Sequence, residues 1–345
     1  MPQDSQRKDA SNPESHTRNP DTVKHPVVLL TTGGTIAMQC EQPNTGATVA
    51  IDGGQFQQWL PAHSPVARVE ELTALPSSHF QLDTLWSIRD KVAEVIAEPE
   101  IAGIVITHGT DTLEETAYLL DLTVAGEKPI VLTGAMRTAS DPGYDGRANL
   151  IAAVRVAAAP EARGLGSVVV MNDEIHAARF VTKAHTLSPA ALQSPGFGPI
   201  GRIVGGCARV IHRPKRQVLP WLGLEPNVIL LKLGVAMEAH LLDYALSQGA
   251  CGLVIEAFGS GRVPPSWMPA IDNARARGVA VVIASRCSSG PMWDNYSYSG
   301  AFRALRELGC LFANELNGQK ARIKLMVSLA SAQTPDEMSV LWRRT

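Results

Sequence analysis

Val27-Val28-Leu29-Leu30-Thr31-Thr32-Gly33-Gly34-Thr35 is followed, about 75 residues later, by a second stretch of the same build: Ile104-Val105-Ile106-Thr107-His108-Gly109-Thr110-Asp111-Thr112. Each is a continuous apolar run that ends in glycine and threonine. A run apolar at every position is a strand buried on both faces, the kind found in parallel sheets covered by helices. A strand that empties into a Gly/Thr turn sets hydroxyls and backbone N–H groups at one sheet edge, where open α/β folds bind their ligands. Two such turns bring two candidate hydroxyl nucleophiles, Thr35 and Thr110, to one small pocket.

The rest of the chain repeats the alternation. Further strands are expected at Pro129–Thr133, Ser167–Met171, Val228–Lys232, Gly252–Ala257 and Val279–Ala284. Helices are expected at Asp83–Ala97, Thr112–Val124, Arg147–Ala158, Glu238–Ser247, Ser266–Arg277 and Gly300–Leu308. This predicts an α/β protein with mostly parallel sheets. Thr186–Gly206, rich in Ser, Pro and Gly, reads as irregular hairpin and loop. The basic, proline-bracketed stretch Arg213-Pro214-Lys215-Arg216-Gln217-Val218-Leu219-Pro220 has no period and reads as a linker at 213–221. It divides a larger N-terminal domain, 25–212, from a smaller C-terminal α/β domain, 222–345.

Composition narrows the function. At 345 residues the chain is longer than one hydrophobic core usually serves. Its 31 basic and 33 acidic side chains nearly cancel, so no charge surplus argues for nucleic acid. The apolar runs are strand-sized and too short to cross a bilayer. Residues 1–24 hold only Met1, Ala10 and Val23 as apolar side chains, which predicts a disordered polar leader and not a secretory signal. The five cysteines (Cys40, Cys207, Cys251, Cys287, Cys310) are scattered, without metal-ligand spacing, so no metal is expected. They fit a reducing cytoplasm. Cys251, at the head of Cys251-Gly252-Leu253-Val254-Ile255, reads as a buried structural thiol.

A threonine hydroxyl is a weak nucleophile that needs a base and donors for the developing oxyanion. Gly33 and Gly34 let a substrate approach the backbone before Thr35. Asp111 after Thr110 is an acceptor suited to a substrate ammonium, and Thr112 with Glu115 has capping-box spacing. Lys183, in Asn172-Asp173-Glu174-Ile175-His176-Ala177-Ala178-Arg179-Phe180-Val181-Thr182-Lys183, is either a desolvated base for a threonine or a solvated surface charge.

Together, Thr31-Thr32-Gly33-Gly34-Thr35-Ile36-Ala37, Thr107-His108-Gly109-Thr110-Asp111-Thr112-Leu113-Glu114-Glu115 and Asn172-Asp173…Val181-Thr182-Lys183 resemble the bacterial-type L-asparaginase/glutaminase family. Gly134-Ala135-Met136-Arg137 and Asp145-Gly146…Asn149-Leu150 resemble its connecting motifs, and Gln319-Lys320-Ala321-Arg322 its final helix. The resemblance implies a cofactor-free amidohydrolase acting on a small amide such as asparagine or glutamine through an acyl-enzyme. Thr35 would be the nucleophile, with Thr110, Asp111 and Lys183 as the second catalytic group. Asp111 would hold the substrate amine and Ser78 its carboxylate, with Gly34, His79 and Gly109 lining the site and N–H groups near Thr110 meeting the oxyanion. It also implies a homodimer or homotetramer in which a neighbouring subunit completes each site.

This chain departs from the family pattern at several positions. No tyrosine occurs in the loop Met38–Thr48 after Thr35. His79 stands where the family has glutamine, Arg262 where it has asparagine, and the expected glutamate falls near Ser297. A guanidinium offers an ammonium less and an anion more. Tyr296 or Tyr298 is a candidate substitute for the loop tyrosine, and Asp294 for the carboxylate. Alternatively Arg262, Tyr296 and Tyr298 serve a subunit interface. These changes leave room for a different small amide in a specialised pathway, or for a non-catalytic amino-acid sensor.

Overall fold

A computed structural model of the chain describes residues 26–42 and 46–343. The leader at 1–24 and Pro43-Asn44-Thr45 of the loop after Thr35 lie outside the described residues.

The first half alternates strand and helix. β1 (Val27–Gly33) leads through the two-residue pair β2 (Met38–Gln39) and β3 (Thr48–Val49) to α1 (Gly53–Trp59) and β4 (Val66–Leu75). Then come α2 (Leu82–Ala97), β5 (Gly103–Thr107), α3 (Leu113–Thr123), β6 (Ile130–Thr133), α4 (Gly146–Ala158) and β7 (Ser167–Met171). β8 (Glu174–Ala177), β9 (Thr182–Lys183), β10 (Leu192–Gln193), β11 (Gly201–Val204) and β12 (Cys207–Val210) finish this half. Among the described residues eight strands form one sheet in the order β12-β11-β8-β7-β6-β5-β1-β4. β4, β1, β5, β6 and β7 are parallel, whereas β8, β11 and β12 are antiparallel additions.

Burial explains which strands were legible. β1, β5, β6 and β7 are buried at every residue, under α2 and α3 on one face and α4 on the other. β4 was not anticipated. Its sequence, Val-Ala-Arg-Val-Glu-Glu-Leu-Thr-Ala-Leu, is half-buried because it sits at the sheet edge, so its charges interrupt the apolar run. The segment read as irregular, Thr186–Gly206, contains both β10 and β11. The turn Asn172-Asp173 has left-handed backbone at both residues (φ 51° and 58°), the geometry of a two-residue hairpin, and reverses the chain from β7 into β8.

The second half stacks β13 (Val228–Lys232), β14 (Gly252–Ala257), β15 (Ala280–Ser285) and β16 (Leu311–Phe312) as a four-stranded parallel sheet. α5 (His240–Ser247), α6 (Met268–Ala276) and α7 (Phe302–Glu307) connect them, and α8 (Gly318–Ser331) and α9 (Pro335–Arg343) end the described chain. Cys251 corrects the expectation made for it. It is exposed because the strand begins one residue later, at Gly252, and the buried thiol is Cys310. No helix among the described residues is long and apolar enough to cross a membrane.

Several contacts join the halves. One apolar cluster runs from Tyr118, Leu119 and Leu122 of α3 through Leu219 and Leu224 to Ala321, Leu325 and Met326 of α8. Between them, Arg216 anchors the connecting segment. Its Nε donates to Asp121 Oδ1 at 2.7 Å, and its other nitrogens donate to the carbonyls of Asp121, Val124 and Gly126 at the end of α3. Asp121 is buried, which raises its pKa despite the guanidinium beside it. Removing one partner of a buried pair strands the other charge. Arg216→Met should therefore lower unfolding stability by about 3 kcal/mol, and Asp121→Asn added to it should recover most of the loss, both read from urea midpoints.

Candidate active site

β1 and β5 pair in register, Thr31 opposite Thr107, so their turns leave the sheet side by side at the point where strand order reverses. The Thr32 hydroxyl donates to the Thr107 carbonyl at 2.8 Å and ties them together. Gly34 has φ 78°, in the left-handed region. A Cβ there would lie 2.3 Å from both the N and Cα of Gly109. A Cβ on Gly109 would in turn lie 2.6 Å from Ser77 Oγ. Three turns thus meet through two glycines, and no side chain fits at either.

Gly34 caps a short 3-10 turn, Thr35–Ala37, which leaves Thr35 half-buried beside the Gly34–Gly109 contact. Tyr144 holds this turn from behind, its hydroxyl donating to the Ile36 carbonyl at 2.6 Å. The Tyr144 ring packs edge-on against Trp59. The Cys40 N–H donates to Ser140 Oγ at 2.9 Å, so the same loop also grips the chain after the turn. Sequence reading missed Tyr144, because nothing in its neighbourhood distinguishes it from a surface turn residue. The motif around it is self-latched: Asp145 accepts from the N–H groups of Met136 and Arg137, and Asn149 donates to the Gly134 carbonyl.

On the other side of the glycine contact, Thr110 is 5% exposed. Lys183 Nζ donates to Thr110 Oγ1 at 2.9 Å and to Asp111 Oδ1 at 2.6 Å. Lys183 is no solvated surface charge: its side chain is 19% exposed, against 62% for Asp111. The arrangement gives one hydroxyl a direct proton path to an amine, while the carboxylate offsets any positive charge the amine carries. Asp111 keeps an open edge for a ligand ammonium. A depression of about 340 Å³ opens onto Asp111, Lys183 and His185, and Lys183 also borders an interdomain cleft of about 490 Å³.

The third turn supplies Ser77, Ser78 and His79. Ser78 and His79 are exposed, and Ser77 is buried against Gly109. The capping box expected at Thr112 does not form. Its hydroxyl donates to the Ser77 carbonyl at 3.0 Å, joining the two turns where a cap would have closed on α3. Arg262, Tyr296 and Tyr298 form a separate cluster in the C-terminal half. The Arg262 guanidinium lies 4.7 Å over the Tyr296 ring and donates to Ser260 Oγ, and both tyrosines are exposed. Asp294 is engaged by Arg303 and Arg306. Within one chain this cluster makes no contact with Thr35 or Thr110. Among the described residues no group of three His, Cys, Asp or Glu side chains is placed to hold a metal.

His108 is fully buried between these turns. Its Nδ1 donates to the Gly109 carbonyl at 2.7 Å and its Nε2 accepts from the Thr116 hydroxyl at 2.9 Å. Burial lowers its pKa to about 4, against the pull of the Gly109 carbonyl. Between pH 6.5 and 4 the unfolded chain therefore binds a proton there that the folded protein refuses. Stability is full above pH 6.5 and falls as pH drops through that window. Between pH 7 and 5 the loss should be about 2 kcal/mol, and a His108→Gln variant should lack it when urea midpoints are compared at the two pH values.

Family models match both halves: "Asparaginase, N-terminal" over residues 26–216 and "Glutaminase/Asparaginase C-terminal domain" over 227–341. An L-asparaginase of Bacillus licheniformis is 35% identical, over 88% of this chain and 95% of that protein. A glutaminase-asparaginase of Pseudomonas fluorescens biotype A is 34% identical, over 90% and 88%. A probable periplasmic L-asparaginase of Haemophilus influenzae is 33% identical, over 90% of each. With two domain models matched in order along nearly the whole described fold, the chain belongs to the bacterial-type asparaginase family.

Proposed function

We propose that this protein hydrolyses the side-chain amide of L-asparagine, and of L-glutamine as a second substrate, to the acid and ammonia. The observation that carries the reading is the Lys183–Thr110–Asp111 hydrogen-bonded group set against the Thr35 turn through Gly34 and Gly109. Thr35 Oγ1 attacks the amide carbon and gives up its proton, and the oxyanion is met by backbone N–H groups at the Thr110 turn. Collapse of the tetrahedral intermediate breaks the C–N bond, and the departing nitrogen takes up the proton that Thr35 gave and leaves as ammonia. Water then attacks the threonyl ester, loses a proton toward Thr110 and Lys183, and frees the acid and the Thr35 hydroxyl. Asp111 holds the α-ammonium and Ser78 the α-carboxylate. The names of the relatives, asparaginase and glutaminase-asparaginase, support the substrate class.

The working form is a homodimer or homotetramer in which the Arg262–Tyr296–Tyr298 cluster faces a neighbouring subunit's site. The two exposed tyrosine rings, with the half-buried Arg262 guanidinium over one of them, favour that placement. Five unpaired cysteines, three of them exposed, support a cytoplasmic location, in contrast to the Haemophilus relative named as periplasmic. The Arg262 guanidinium favours a second reading of the substrate, a small amide carrying more negative charge than asparagine.

Thr35→Ala and Thr110→Ala should each reduce ammonia release from L-asparagine by roughly a thousandfold, about 4 kcal/mol of transition-state stabilisation. The thermal midpoint should stay near that of the parent. Turnover retained by both variants would overturn the threonine mechanism. Measuring kcat/KM for L-asparagine, L-glutamine, D-asparagine and dicarboxylic monoamides decides the substrate, and a monoamide preferred over asparagine would establish the second reading.

A further inference from the structure

Resting on the functional reading above, we propose that Lys320 and Glu114 are positioning residues for the Thr110–Lys183 pair: a helix of the C-terminal domain sets the strand that carries Lys183.

The need for such a device follows from β9. It is two residues long, pairs among the described residues only with the two residues of β10, and lies outside the main sheet. A two-stranded ladder of that size has little stability of its own. Yet Lys183 Nζ must stay within hydrogen-bond distance of Thr110 Oγ1, and small displacements of a reacting pair are costly to catalysis.

The holding groups are buried and come from the other domain. Lys320, in the first turn of α8, is 1% exposed. Its ammonium donates to the carbonyl of Val181, to that of Arg179 at 3.2 Å, and lies 3.6 Å from Glu114 Oε2. Two of its donors thus meet carbonyls on the backbone leading into β9, and the Glu114 carboxylate stands at ion-pair distance beside them. Glu114, 4% exposed in the first turn of α3, completes the circuit. Its Oε1 accepts from the Thr182 hydroxyl at 3.0 Å and from Gln319 Nε2 at 2.9 Å, and its Oε2 accepts from Asn317 Nδ2 at 3.1 Å.

The circuit closes on both members of the pair. Glu114 is four residues after Thr110, at the start of the helix that Thr110 and Asp111 precede, and Thr182 immediately precedes Lys183. One carboxylate therefore fixes the helix start on one side and the strand on the other, while Lys320 fixes the approach to that strand from beneath. Burial lowers the Lys320 pKa to about 8 even with Glu114 beside it. A buried cation kept at that cost, with its ammonium turned onto two carbonyls and a carboxylate, is one whose geometry is in use.

The test separates positioning from domain glue. Thr182→Val removes one hydroxyl at nearly constant volume, and Lys320→Met removes the ammonium. Both are assayed on L-asparagine at a temperature where the parent and variants are folded by circular dichroism. Arg216→Met, which loosens the domain connection away from the site, is the control. Thr182→Val is expected to lower kcat about fivefold to tenfold and Lys320→Met more, with KM within about twofold of the parent. Arg216→Met is expected to lower the thermal midpoint and leave kcat unchanged. Parental kcat in Thr182→Val and in folded Lys320→Met would overturn the proposal, and should Lys320→Met fail to fold, Thr182→Val decides alone. A parent protein that releases no ammonia from asparagine would instead overturn the functional reading, a distinguishable result.

Discussion

The close approach of Gly34 to Gly109 is the constraint from which the site is built. Two buried parallel strands, paired in register, end at the same level, and their turns converge until backbone meets backbone. A methyl group at Gly34 would run into the main chain of His108 and Gly109, and one at Gly109 would run into Ser77, so the spacing of the turns is set by close packing around the two glycines. That spacing puts the Thr35 and Thr110 turns side by side without any hydrogen bond between their hydroxyls. The Thr32–Thr107 bond, the His108 bridge to Gly109 and the Thr112–Ser77 bond all reinforce this packing.

What the main sheet cannot do is place Lys183. The sheet's order is spent on β1, β5 and their neighbours, and the chain beyond the β7–β8 hairpin leaves it before reaching the lysine. The amine is brought back by a buried polar circuit anchored in α8. The two halves of the site therefore rest on different physics. The glycine turns depend on hydrophobic strands and steric exclusion, and the lysine depends on charge and hydrogen bonds across a domain boundary.

This division also explains what could be read in the sequence. Strands buried on both faces announce themselves as unbroken β-branched runs, and the glycines and threonines after them name the site. The parallel core and the turns that carry Thr35, Thr110 and Asp111 were legible for that reason, whereas Lys183, on a strand outside that sheet, was singled out by the family resemblance. β4 was not, because an edge strand with Arg68, Glu70 and Glu71 imitates a solvated segment. Cys251 and the Thr112 cap were misread by one residue and one partner, at element boundaries where local pattern is weakest. Tyr144 carries no local signal, because a turn tyrosine reads as exposed until its partner carbonyl is known; Glu114 and Lys320 lie inside recognised motifs, but a charged residue in a helix reads as surface until the fold buries it.

The two threonines, alike in sequence context, are not alike in electrostatic state. The Thr110 oxygen already accepts a hydrogen bond from the Lys183 amine, which is itself held by a carboxylate. One of its lone pairs is committed, and in the proposed reaction its part is to pass a proton along that path. Thr35 stands outside this chain of hydrogen bonds, on a turn steadied through the Ile36 carbonyl and not through its own hydroxyl. An oxygen left free to move onto a carbonyl carbon is the better nucleophile, and an oxygen wired to an amine is the better relay. In the proposed reaction the roles thus follow from which hydroxyl has no hydrogen-bond partner among the described residues, and the missing loop tyrosine bears on how Thr35 loses its proton.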